Sequence, residues 1–211
     1  MDGIIGEIEA LKVVPVVAIE NPDDANRLAD ALLEGGIPCA EITLRTAGGL
    51  KAIEALSKRP EFLVGAGTVH SDQQAAAVAD AGARFVVSPG FNPKTVAWCK
   101  DHDLPVFPGI SSPTDLEMAL EFELEVVKFF PAEAMGGIKT LKAFHGPYQS
   151  IRFMPTGGIS MSNLADYLSL PWVVACGGSW LAKSNLIAEG RFDEIVRLTA
   201  ETTSLLKEIS A

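Results

Sequence analysis

Eight short β-rich runs recur along the chain, at residues 13–19, 39–44, 62–69, 85–89, 105–110, 126–131, 151–156 and 173–176. Each meets Gly, Pro, Thr or Ser at or just past its end. Between them lie stretches with helical spacing of apolar residues, at 23–34, 48–58, 72–81, 93–101, 113–122, 136–143 and 161–168. A turn near Asn185 and a helix over 192–209 complete the series. Asn21-Pro22, Ser71-Asp72, Asn92-Pro93 and Ser112-Pro113 read as helix starts, with a capping side chain and, in three of them, proline in the first turn. Gly35-Gly36 and Gly82 read as stops.

A strand followed by a helix roughly every 20 to 25 residues predicts parallel strands joined by helical crossovers. Eight such units with no break in rhythm predict an α/β fold, a closed (β/α)8 TIM barrel, with residues 3–11 as an extra N-terminal helix closing its bottom. A doubly wound open sheet is the competing architecture. Its best support would be a dinucleotide-binding fingerprint, and Gly65-Ala66-Gly67-Thr68-Val69-His70 begins like one but has no third glycine in place. With 211 residues, 48% of them hydrophobic, and no Ser-, Pro- or Gly-rich linker, the chain reads as one domain over 1–211.

The formal net charge of −10 argues against nucleic acid or an anionic membrane as partner, so any anionic substrate has to be held by local positive groups. The acidic opening Met1-Asp2-Gly3-Ile4-Ile5-Gly6-Glu7 lacks the pattern of a secretory signal, and the apolar run 13–19 is too short to span a bilayer. Cys39, Cys99 and Cys176 are few, odd in number and far apart, which fits reduced thiols better than a disulfide frame or zinc site. The expectation is a cytoplasmic protein.

One cation interrupts an otherwise apolar strand: Val126-Val127-Lys128-Phe129-Phe130-Pro131. Taking an ammonium out of water is costly enough that the group tends to neutralise, and a neutral amine can attack a ketone to form a Schiff base. The alternative is a lysine whose stem lies on apolar surface while its head reaches water. Side chains alternate along a strand, so Lys128 shares a face with Val126 and Phe130. In Cys39-Ala40-Glu41-Ile42-Thr43-Leu44-Arg45 the same alternation puts Glu41, Thr43 and Arg45 opposite an apolar face made by Ala40, Ile42 and Leu44. A strand covered on both sides should be almost wholly apolar, so this polar face points to site chemistry, with a structural Glu41–Arg45 ion pair as the minority reading.

Pro155-Thr156-Gly157-Gly158 and Cys176-Gly177-Gly178-Ser179 follow the last two runs, where loops of many barrels hold a phosphate on backbone N–H groups. His70, His102 and His145 stand in no metal-ligand spacing and read as surface or loop residues, so no metal is expected. Ser111-Ser112 sits in no nucleophile elbow.

Taken in order, Glu41-Ile42-Thr43-Leu44-Arg45-Thr46, Gly65-Ala66-Gly67-Thr68-Val69, Ser88-Pro89-Gly90, Pro108-Gly109-Ile110, Val127-Lys128-Phe129-Phe130-Pro131-Ala132-Glu133, Pro155-Thr156-Gly157-Gly158 and Gly177-Gly178-Ser179-Trp180 carry a resemblance. Across nearly its whole length the chain resembles the 2-keto-3-deoxy-6-phosphogluconate and 4-hydroxy-2-oxoglutarate aldolase family. The resemblance implies a class I aldolase on a small β/α barrel, usually a homotrimer, with neither metal nor cofactor. It would cleave a phosphorylated 2-keto acid to pyruvate and glyceraldehyde 3-phosphate, or 4-hydroxy-2-oxoglutarate to pyruvate and glyoxylate. By matching motif, Lys128 is the Schiff-base lysine and Glu41 the general acid/base. Arg45, Thr68 and Thr156 hold the carboxylate and keto end, Phe130 packs beside the imine, and Gly157, Gly158, Gly178 and Ser179 cradle the phosphate. Some relatives place a basic residue near the end of strand one, where this chain reads Val17-Ala18-Ile19-Glu20, so no binding role is assigned there. A phosphogalactonate substrate, a sugar-phosphate isomerase or epimerase, and a non-catalytic phosphosugar-binding barrel remain the alternatives.

Overall fold

The computed structural model describes residues 2–210; Met1 and Ala211, the ends of the expected domain, lie outside the described residues. Helix α1 (Asp2–Leu11) leads into strand β1 (Val13–Val17). There follow α2 (Ala25–Glu34), β2 (Cys39–Thr43), α3 (Gly49–Leu56), β3 (Leu63–Gly67), α4 (Asp72–Asp80), β4 (Val86–Val87) and α5 (Pro93–Asp101). The second half runs β5 (Val106–Phe107), β6 (Gly109–Ile110), α6 (Pro113–Glu121), β7 (Val126–Phe129), α7 (Gly137–His145), β8 (Arg152–Pro155), α8 (Leu164–Leu168) and β9 (Cys176–Gly178). Helices α9 (Ser184–Ala188) and α10 (Phe192–Ser210) end the described chain.

All the pairings are parallel. One sheet has the order β5-β4-β3-β2-β1-β9 and the other β6-β7-β8, giving an α/β fold on a curled parallel sheet. Two further parallel bridges, Phe153 with Val173 and Thr156 with Gly177, link the β8 side to the β9 side. The described strands number nine rather than eight because the run at 105–110 is cut at Pro108 into β5 and β6. Proline has no N–H for the ladder. Its carbonyl still accepts from Lys128 N at 2.9 Å, so the chain keeps its place beside β7.

The final strand also differs from expectation. It falls on Cys176–Gly178 rather than 173–176, so the Gly177-Gly178 pair is strand, paired with Val14 and Pro15, instead of loop. Tertiary packing decides this. A Cβ on Gly177 would lie 2.2 Å from Thr156 Oγ1, and one on Gly178 would lie 1.6 Å from the Trp180 ring. Strand-weakening glycines are kept where neighbouring side chains occupy the space their own would need.

Three of the sequence-read helix starts cap an α-helix, at Ser71, Asn92 and Ser112, the last as a capping box with Asp115. Asn21 caps a 3-10 turn over Pro22–Asp24 that leads into α2, whose own cap residue Asp24 makes no side-chain capping bond. Gly36 (φ 93°) and Gly82 (φ 88°) turn the chain out of α2 and α4 in the left-handed region. Gly35 lets α10 come close, since a Cβ there would lie 2.3 Å from that of Thr199. Helix α1 is tied to the leading ends of the strands: Glu7 pairs with Arg84 ahead of β4 at 2.8 Å, and Glu9 pairs with Arg152 at the start of β8, also at 2.8 Å. The site therefore has only the opposite, carboxyl end of the sheet to occupy.

Cys39, Cys99 and Cys176 are buried and unbonded. Burial pushes the Cys99 thiol up to about 12, and burial is likewise the largest cause raising Cys39 and Cys176. A folded sample at about pH 8 should react with a thiol-specific reagent at less than one group per chain, while the denatured chain should react at all three. Rapid native labelling would contradict the burial.

Candidate active site

At the carboxyl ends of the strands lies a cavity of about 370 Å³. It is lined by every residue picked out from the sequence: Glu41, Arg45, Thr68, Lys128, Phe130, Thr156, Gly157, Gly158, Gly178 and Ser179. Strand β2 supplies Glu41 and Thr43, and Arg45 follows two residues on, so the three residues of one parity face the cavity as the alternation required. From β7 come Lys128 and, just past its end, Phe130.

Lys128 and Glu41 are almost fully buried, at 5% and 1% exposure. Lys128 Nζ lies 3.4 Å from Glu41 Oε1 and 5.2 Å from the Phe130 ring centre. The minority reading of a Glu41–Arg45 ion pair is not what forms; the carboxylate faces the lysine instead. Gly67 makes this possible, since a Cβ there would lie 2.2 Å from Glu41 Oε1. The second oxygen, Glu41 Oε2, is buried with no protein partner among the described residues, and so is Thr156 Oγ1. Buried polar atoms without partners are uncommon enough to call for a reason, and two in one cavity point to groups a ligand brings.

Arg45 is oriented by its own strand. Its Nε donates to Thr43 Oγ1 at 3.2 Å, and that hydroxyl donates to the Val17 carbonyl of β1 at 2.9 Å. Among the described residues the terminal guanidinium nitrogens make no hydrogen bond or ion pair, which leaves the planar fork for a carboxylate. Thr68 sits just past β3 at φ 61°, a strained conformation for a β-branched residue of the sort that collects at functional sites.

The glycine turn is braced from beneath. Gly157 and Gly158 adopt φ 98° and 84°. Ala132 N donates to Thr156 O at 2.8 Å and Glu133 N donates to Gly157 O at 3.0 Å, strapping the turn to the segment that follows Lys128. Glu133 fills the place a Gly158 side chain would take, and the Tyr167 hydroxyl of α8 donates to its carboxylate. Burial first, then that bond, raise the Tyr167 phenol well above its ordinary value.

Val16, Ile159 and His70 also line the cavity and were given no site role from the sequence, and so do Pro89 and Gly177, which the sequence offered only as members of motifs. His70 is exposed on a loop as expected, yet it borders the site too; its place two residues beyond Thr68 was the available signal. Strand one, given no binding role, contributes Val16 and the carbonyl that fixes Thr43. His102 stacks on Trp98 and His145 on Trp172, both outside the cavity lining. Among the described residues, no three His, Cys, Asp or Glu side chains gather in a metal-holding group.

Fold and cavity together define an α/β protein with a concave, lysine-bearing small-molecule site at its strand ends. The family profile "KDPG and KHG aldolase" matches residues 4–198. A 2-dehydro-3-deoxy-phosphogluconate aldolase of Haemophilus influenzae is 47% identical over 205 residues, 97% of each chain. The KDPG aldolase structure from Legionella pneumophila, with pyruvate captured as a covalent carbinolamine, superposes with a TM-score of 0.90 at 39% identity, covering 93% of this chain and 96% of that one. The Zymomonas mobilis enzyme with 3-phosphoglycerate gives 0.86 at 35% identity over 93% of each chain. The chain belongs to the KDPG and KHG aldolase family.

The close fit between Gly67 and Glu41 can be tested against a glycine with open space around it. Gly67→Ala overpacks the buried pair, at a typical cost of about 1–3 kcal/mol, and should lower the melting temperature by roughly 2–10 °C. Gly90→Ala, where an added Cβ meets nothing within 4 Å, should leave it nearly unchanged. Equal melting temperatures for the two variants would contradict the packing.

Proposed function

We propose that the protein is a class I aldolase that cleaves 2-dehydro-3-deoxy-6-phosphogluconate to pyruvate and glyceraldehyde 3-phosphate through a Schiff base on Lys128. The observation that carries this reading is the buried Lys128–Glu41 pair with a second carboxylate oxygen left unpartnered. The Legionella relative with pyruvate covalently captured supports it.

Transfer of a proton from Lys128 to Glu41, 3.4 Å away, leaves a free amine. That amine adds to the C2 ketone, and Glu41 returns the proton to the carbinolamine hydroxyl, so that water departs, a protonated imine remains and Glu41 is again a carboxylate. Electrons of the C3–C4 bond flow into the imine as Glu41 removes the proton of the C4 hydroxyl, and the aldehyde departs. The enamine takes a proton at C3 and hydrolysis releases pyruvate. Arg45 holds the carboxylate with its planar fork, while Thr68 and Thr156 sit at the carboxylate and keto end. Phe130, 5.2 Å from the lysine nitrogen, shields the imine. Gly157, Gly158, Gly178 and Ser179 take the phosphate on backbone N–H groups and a hydroxyl.

The same reading holds the two sheets to be one closed (β/α)8 barrel and the chain to be a single domain. The bridges Phe153–Val173 and Thr156–Gly177, and the continuity of β5 and β6 through Pro108, support closure. The resemblance supports a homotrimer, and the three unbonded thiols support a reducing cytoplasm. No helix among the described residues is long and apolar enough to cross a membrane.

Borohydride reduction in the presence of pyruvate should add permanent mass at Lys128. Lys128→Ala should lose both this labelling and cleavage, and near-normal cleavage by that variant would refute the covalent route. Glu41→Gln should lower kcat by about 10²- to 10⁴-fold while some labelling persists. Among the phosphogluconate, phosphogalactonate and hydroxyoxoglutarate compounds, kcat/KM should be highest for the first.

A further inference from the structure

A second hollow of about 230 Å³ adjoins the catalytic cavity, and the two share Val16, Arg45 and Ser179. Lys183 and Ser184, just past Trp180, line only the second hollow of the two. Lys183 is exposed and, among the described residues, has no carboxylate within ion-pairing distance. On its other side it borders a depression shared with Arg191 and Glu194, but Glu194 is already held by Arg197 at 2.7 Å.

The charges in the main cavity leave this amine a task. Under the proposed reading Lys128 becomes the imine and Arg45 takes the substrate carboxylate. The cavity's remaining full charges are then the protonated imine, which serves the reacting carbon, and the carboxylate Glu41. A phosphate monoester carries close to two negative charges at neutral pH. Backbone N–H groups and the Ser179 hydroxyl give it hydrogen bonds but no counter-ion, on a chain whose net charge is −10.

We propose that Lys183 is a specificity-determining residue that supplies the counter-charge for the substrate's terminal phosphate across the hollow beside Ser179. The inference rests on the aldolase reading. The amine takes no part in bond breaking, so its influence falls on KM for substrates with a dianionic tail. A compound whose tail ends in a shorter, singly charged carboxylate gains little from it. Being exposed, the contact is screened by salt.

The experiment compares wild type with Lys183→Ala, Lys183→Arg and Lys183→Glu on 2-dehydro-3-deoxy-6-phosphogluconate and on 4-hydroxy-2-oxoglutarate, with borohydride trapping of pyruvate as a measure of the intact catalytic pair. Lys183→Ala should raise KM for the phosphorylated compound about three- to tenfold, the scale of one partly screened charge contact. Lys183→Glu should raise it further and Lys183→Arg should restore it. KM for 4-hydroxy-2-oxoglutarate should change less than about twofold, and the salt dependence of KM for the phosphorylated compound should flatten in Lys183→Ala. An unchanged KM in Lys183→Ala, or an equal rise on both compounds, overturns the role of Lys183 while leaving the aldolase reading intact if trapping persists. A wild type that neither cleaves nor is trapped overturns both.

Discussion

Two opposite charges buried together in an apolar interior set the terms for the rest of this structure. Each of Lys128 and Glu41 alone would carry a desolvation cost of several kcal/mol, and removing one partner from such a pair typically costs about 3–5 kcal/mol. They can coexist because β2 and β7 place them on the same inner side and because Gly67 has no side chain where the carboxylate lies. The lysine has the carboxylate as its partner, whereas the second carboxylate oxygen has no protein partner among the described residues. A site built this way carries an unsatisfied acceptor close to a nucleophilic nitrogen, and that is the requirement for moving a proton during carbonyl chemistry.

The anion-binding end is built on a different economy. Its glycines lie where neighbouring side chains press in: Thr156 over Gly177, Trp180 over Gly178, Glu133 under Gly158. The hydrogen bonds from Ala132 and Glu133 to the Thr156–Gly157 backbone connect this turn to the segment that leaves β7, the strand of the lysine. Displacement of the turn would thus be felt by the strand that positions the amine. Lys183 stands outside this rigid frame on a mobile four-carbon stem, suited to adding charge rather than fixing geometry.

Much of the arrangement was legible in the chain because it depends on local periodicity. The starts at Asn21, Ser71, Asn92 and Ser112 follow from side chains that reach their own backbone two or three residues on, and all four bonds form, the first on a 3-10 turn ahead of α2. The inward parity of Glu41, Thr43 and Arg45 follows from the two-residue repeat of a strand. What was misread follows from one long-range pairing and from one local break that the strand pattern hid. The last strand moved onto Gly177-Gly178 because β1 pairs with it there, and the run at 105–110 divided because Pro108 lacks a ladder donor. His70 was read as a loop residue, which it is, but its place at the edge of the cavity that holds Lys128 depends on how the strand exits converge.

The chain by itself determined the alternation of strand and helix, the inner face of each strand and the residue types available for amine chemistry, since all of these obey short-range stereochemistry and the cost of burying charge. Only the tertiary structure decided that Glu41 faces Lys128 rather than Arg45, that two buried oxygens remain unpartnered and that a second hollow brings Lys183 beside Ser179. Those outcomes depend on which distant side chains compete for the same space, and no local repeat encodes that competition.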